Sequence, residues 1–201
     1  MSTALPTRKL SVDDIDDIRA YERVRDTFRA EMIALRDRRR VSAGTIVSVA
    51  FENRETIRFQ IQEIARVEGI TTDEGIQREL SAYNPLIPEP GQLCATLFIE
   101  LTSDEAVREW LPKLVGIEKS VVLRLPNGDE VHSCADSPHG TQVPRDDVTA
   151  AVHYISFELT PAQCDAFQDG VVLAIEHPRY TEQTELRMAT IRELASDLRG
   201  S

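Results

Sequence analysis

Apolar residues recur along this chain with two different periods, and the changes between them divide it into elements. Ile18, Tyr21, Arg25, Phe28, Met32, Leu35 and Arg39 are spaced alternately by three and four. That is a heptad seam with arginine at two of its positions. Ser11 with Asp14 three residues on has the form of a capping box, and Arg36, Arg38, Arg39 and Arg40 suit a helix C-terminal end. One continuous helix is therefore expected over residues 11–40, its seam buried within the monomer or across a homodimer. Next, TIVSVAF at 45–51 is β-branched and reads as a strand. A helix follows from about Arg54 to Glu68, stopped by Gly69. With Ile57 as zero and about 100° per residue, Ile61, Ile64 and Val67 define a core stripe. Glu68 lands about 20° from its centre and Gln60 about 60° to one side. A carboxylate there must find a donor or give up its charge. Glu68 is thus expected to be buried in a structural ion pair, with Arg25 as first partner and Arg54 as second.

Further on, Thr71 with Glu74 opens a short helix through Tyr83, and Asn84-Pro85 ends it. Residues 85–91, PLIPEPG, form a stiff connector. FIELTSDEAVREWL (98–111) and FELTPAQCDAF (157–167) echo one another. Each ends a strand in Glu-Leu-Thr and starts a capped helix, Thr102 answered by Glu105 and Thr160 by Gln163. Each then leads to an apolar strand, at 121–125 and 171–176. Asn127-Gly128 is a two-residue hairpin signal. Residues 135–148 are a polar loop, 148–159 a strand, and Tyr180-Thr181 opens the last helix. The class is α+β: a long N-terminal helix and a helical segment packed on a largely antiparallel sheet, with capped helices between strands. At 201 residues the chain suits a single domain over 1–201. Residues 1–43 would be a long helical extension of it, and 85–91 an internal connector.

Three stretches, FENRETIRFQIQEIARVEGI (51–70), ELSAYNPLIP (79–88) and ATLFIEL (95–101), resemble the bacterial domain-of-unknown-function family 3501. The similarity extends through VHYISFEL (152–159) to EHPRY (176–180). The resemblance implies no catalytic residue. It does imply a redox setting by association, because the family's genes tend to sit beside those of rubrerythrin-like di-iron proteins and iron–sulfur oxidoreductases. A redox protein is the partner it suggests.

Composition narrows the picture. A hydrophobic fraction of 41% supports a real core, and no apolar run approaches the ~20 residues of a membrane span. The N-terminus lacks an apolar signal region, and Cys94, Cys134 and Cys164 are widely spaced, so a cytoplasmic chain with reduced thiols is expected. A net charge of −11 argues against nucleic-acid binding, which needs a basic face. The arginines between 19 and 40 are a local exception. Only Lys9, Lys113 and Lys119 are lysine, however, a bias that fits a GC-rich genome better than a phosphate site.

Candidate chemistry is sparse. His132 and Cys134 share one strand face, with His139 nearby, a set whose type and spacing would allow a mononuclear metal site. The plainer reading is an exposed hairpin edge, and no metal or cofactor is expected. His153 is in phase with Ile155 and Phe157, and His177 with Val171, Leu173 and Ile175. Both could share a cleft with Tyr180 as an acid–base or ligand pair. Asn53, Arg54, Gln60, Glu68, His153, His177 and Tyr180 are the candidate ligand-binding residues. There is no Gly-rich phosphate loop, no nucleophile elbow and no Glu-x-x-His to suggest a di-iron bundle. Two functions remain. One is a non-catalytic accessory or binding protein of a redox system. The other is a metal- or small-ligand-dependent enzyme using His153, His177 and the polar residues of the central helix.

Overall fold

Local capping decides where the first helix starts. In a computed structural model that describes residues 8–135 and 147–200, Ser11 caps only a 3-10 turn, Val12–Asp14. Helix α1, Ile18–Arg39, begins afresh at Asp17, whose side chain accepts from the backbone N–H groups of Arg19 and Ala20. The continuous helix expected over 11–40 is thus broken, because Asp17 satisfies two of the N–H groups that any helix start leaves open. The heptad seam holds: Tyr21, Met32 and Arg39 are buried, and Ile18, Arg25, Phe28 and Leu35 half-buried. At Arg40 the chain passes straight into strand β1, Arg40–Ala43. Residues 40–43 therefore belong to a sheet and not to the helical extension expected over 1–43.

Strand β2, Val47–Glu52, leads into α2, Arg54–Glu68. The bounds of α2 are those expected, since Asn53 caps its start and Gly69, at φ 67°, takes the left-handed conformation that ends it. Helix α3, Asp73–Tyr83, is capped by Thr72 and not by Thr71. After a 3-10 turn, Asn84–Leu86, the expected connector packs Leu86 and Ile87 into a small core with Ile57, Ile61, Ala65, Ile76 and Leu80.

Strand β3, Gln92–Ile99, then crosses through α4, Asp104–Trp110, to β4, Val121–Arg124. Strand β5, Glu130–His132, pairs back on β4. The second crossover runs from β6, Val152–Glu158, through α5, Pro161–Ala166, to β7, Val172–His177. Thr160 and Gln163 box the start of α5 as expected, whereas Ser103, not Thr102, caps α4. Residues 180–185 form strand β8, Tyr180–Glu185, hairpinned on β7, so Tyr180 opens a strand and the last helix, α6, spans Met188–Arg199. Tyr180 is buried and Thr181 to Gln183 are exposed, and the strand lies at the edge of its sheet.

Among the described residues the strands form two four-stranded antiparallel sheets, ordered β1-β2-β3-β6 and β5-β4-β7-β8. The echoed crossovers each carry the chain from the first sheet to the second. Val49, Phe51, Leu93, Leu97 and Phe157 of the first meet Val121, Leu123, Leu173 and Ile175 of the second, with Leu194 and Leu198 of α6, in the main core. The period of two places Ser48, Glu52, Cys94 and Thr96 on the opposite face of the first sheet. All four are buried. Among the described residues no helix is long and apolar enough to cross a membrane.

Candidate functional site

The polar outer face of the first sheet and the helices over it enclose a cavity of about 420 Å³. Sheet register brings one row of its lining together, since Arg40 pairs with Ala50, Ala50 with Thr96, and Thr96 with Tyr154. Arg36 and Arg39 line it from α1, Thr56, Phe59, Gln60, Glu63 and Ile64 from α2, and Glu52, Phe98 and Val152 from the sheet.

Glu52 is the chemically distinctive group. It is the last residue of β2, 7% exposed, and each carboxylate oxygen accepts from one hydroxyl. Thr56 Oγ1 donates at 2.6 Å and Thr96 Oγ1 at 2.8 Å. Thr56 is held in turn by the α2 start, where its Oγ1 accepts from the Asn53 N–H at 2.9 Å. Among the described residues no arginine, lysine or histidine lies within ion-pair distance of Glu52. A buried carboxylate held by two neutral hydroxyls keeps acceptor capacity to spare. Its charge lacks the cation that usually offsets desolvation.

The arginine wall is differently served. Arg39 is 1% exposed; its Nε donates to the Phe51 carbonyl at 2.9 Å and its Nη2 to the Glu52 carbonyl at 3.0 Å. Asp197 of α6 supplies its counter-charge, with Glu193 farther off. Arg40 bonds Glu100 at 2.8 Å and lies over the Phe98 ring. Arg36 lies over the Phe59 ring, 5.1 Å from its centre, and has no carboxylate within ion-pair reach among the described residues. Glu63 is saturated: Arg25 Nε and Nη2 donate at 2.8 and 2.9 Å, and Tyr21 Oη at 2.6 Å. The Arg25 hydrogen bond, joined by that of Tyr21, outweighs partial burial and holds the Glu63 carboxyl at about 2.

Of the candidate ligand-binding residues, Gln60 lines this cavity and the others do not. Glu68 is exposed, and Arg25 pairs with Glu63 instead, so the expected Arg25–Glu68 pair is replaced by one five residues earlier on α2. The buried stripe runs Ile57, Ile61, Ala65 with Gln62 at its flank, and Val67 is 72% exposed. Helix α2 outruns its cover before Glu68. Asn53 is spent on the α2 cap and Arg54 on an ion pair with Asp14.

His153 and His177 stand on different sheets and share no partner. The His153 ring bonds the Ala150 carbonyl at 2.8 Å and the Thr149 hydroxyl at 3.0 Å. His177 Nδ1 accepts from the Arg179 N–H at 3.2 Å, and its Nε2 meets the Val115 carbonyl at 3.1 Å. Tyr180 donates to the Ala43 carbonyl at 2.7 Å. Its hydroxyl lies against Gly44, at φ +72°, where a Cβ would overlap it. These three residues secure turns. His132 and Cys134 are exposed, His139 lies outside the described residues, and among the described residues no group of three or more His, Cys, Asp or Glu is placed to hold a metal. Cys94, beside Glu52 in the register, is pushed by burial up to about 12, which keeps it a thiol and unreactive.

The sequence reading missed Glu52, Thr96 and Arg36. The signal available was the alternation in VSVAFE and QLCATLFI, which sets Ser48, Glu52 and Thr96 apart from the apolar face. Comparison with known proteins agrees with the fold. Residues 9–198 match the model of a family described as a protein of unknown function, DUF3501. A crystal structure of a novel protein of unknown function from Burkholderia pseudomallei K96243 superposes with a TM-score of 0.84 at 36% identity, covering 94% of this chain and 99% of that one. No curated protein matches the sequence.

Proposed function

From the premise that this chain belongs to the DUF3501 family, we propose that it binds a small organic molecule carrying a cationic nitrogen in the cavity under α1 and α2. The observation that carries this is Glu52: buried, clamped by two hydroxyls, facing the cavity, and without a cation of its own. An ammonium group on Glu52 would supply the missing counter-charge together with N–H donors for the unused lone pairs. The volume of about 420 Å³ falls in the range of small-molecule sites, roughly 300–1,000 Å³. Phe59, Ile64, Phe98 and Val152 give it apolar walls, again as such sites have. A binding role is thus favoured over an enzyme built on His153 and His177, which stand on different sheets and do not line this cavity.

Isothermal titration of the full chain with a homologous series from ethylamine to hexylamine tests this. Saturable binding is expected, lost in Glu52→Gln while the melting temperature stays close to wild type. Absence of binding by every amine would overturn the reading.

A further inference from the structure

We infer that the ligand is an amino carboxylate, its ammonium on Glu52 and its carboxylate on Arg36. This rests on the ammonium site just described and extends it to a second charged group lining the same cavity. Arg36 is the one cavity arginine whose charge is unmatched among the described residues, because Arg39 is held by Asp197 and Arg40 by Glu100. Its guanidinium lies over the Phe59 ring, 5.1 Å from the ring centre. A cation–π contact of this kind uses none of the guanidinium N–H donors, which stay open for a planar, bidentate acceptor. The cavity therefore carries one unmatched anion, buried, and one unmatched cation, exposed, with Phe59, Ile64, Phe98 and Val152 among its walls. One negative charge answers one arginine. A phosphate dianion would bring charge that the remaining guanidiniums, already committed to Asp197 and Glu100, do not meet. The apolar walls suit a methylene spacer, so the class is an aliphatic amino acid with its two charged groups held apart.

The test compares amino carboxylates from glycine through 4-aminobutanoate to 6-aminohexanoate with n-alkylamines of the same chain length, by titration of the full chain. For at least one spacer length the amino carboxylate is expected to bind about tenfold more tightly than the amine, the gain of a charge-assisted bidentate contact. Arg36→Ala, at an exposed position, should abolish that advantage, read as the ratio of amino-carboxylate to amine affinity at each chain length. Arg36→Lys should restore part of it. If the carboxylate adds nothing at any length, or Arg36→Ala leaves the advantage in place, the inference falls while amine binding at Glu52 stands. If no amine and no amino carboxylate binds wild type, the ammonium site falls as well.

Discussion

The Glu63 carboxylate accepts from Arg25 Nε, Arg25 Nη2 and Tyr21 Oη, and these donors hold its pKa at about 2 against an ordinary 4.5. A carboxyl depressed on folding contributes stability that is complete above its unfolded pKa and is lost as pH falls through the folded value. The window is therefore from about pH 4.5 down to about pH 2. Denaturation midpoints measured across that window should fall for wild type and stay flatter for Glu63→Gln. At pH 7 the same substitution should cost about 2 kcal/mol. That is less than the roughly 3–5 of a fully buried pair, because part of each side chain meets water. His177 offers a second check on single groups. The Arg179 N–H can only donate to Nδ1, so the proton sits on Nε2 facing the Val115 carbonyl. Nitrogen NMR of the neutral ring should show the Nε2–H tautomer, and an Nδ1–H signature would contradict the bonds described.

Among the elements, α2 joins the cap to the site, for Thr56 Oγ1 both accepts from the Asn53 N–H and donates to Glu52. Thr56→Val keeps the shape and removes both bonds, so it should destabilise by about 1–3 kcal/mol. Thr56→Ser should restore most of that, as read from urea midpoints. The bounds of α2 were legible because Asn53 and Gly69 act on their own neighbours. The face it buries was not, because that depends on where α1 and α3 lie. The phase read from Ile57 and Ile64 put Glu68 inside, but the cover ends near Ala65. The α+β class and the strand alternation were likewise legible, and the pairing of strands into two sheets was not. That pairing joins β3 to β6, far apart in sequence, and no local residue records it. Glu52 was overlooked for the same reason, since a polar face becomes a site only when something distant covers it.

At the scale of the molecule, Arg39 binds three parts together: α1 through its backbone, β2 through the Phe51 and Glu52 carbonyls, and α6 through Asp197. Both charges are almost wholly buried, with side-chain exposures of 1% and 7%. Removing one leaves the other desolvated, so Asp197→Leu should cost about 3–5 kcal/mol in equilibrium unfolding. Arg39→Met with Asp197→Leu should recover a large part of that loss, because two apolar groups need no counter-charge. A double variant no more stable than Asp197→Leu alone would show that Arg39 matters for its carbonyl bonds instead.

The Arg39–Asp197 bond also sets a timetable for biosynthesis. Its members are 158 residues apart, and at roughly 5–20 residues per second a ribosome takes on the order of 10–30 s to travel between them. During that interval β1, β2 and β3 can pair, and β6 only towards its close, yet the guanidinium that must lie beside β2 has no anion to meet it. Domains that mature progressively from the N-terminus gain each contact as it emerges. Here a helix synthesised 158 residues later neutralises a charge laid down in α1, so the nascent chain waits, part-folded, for α6 to emerge.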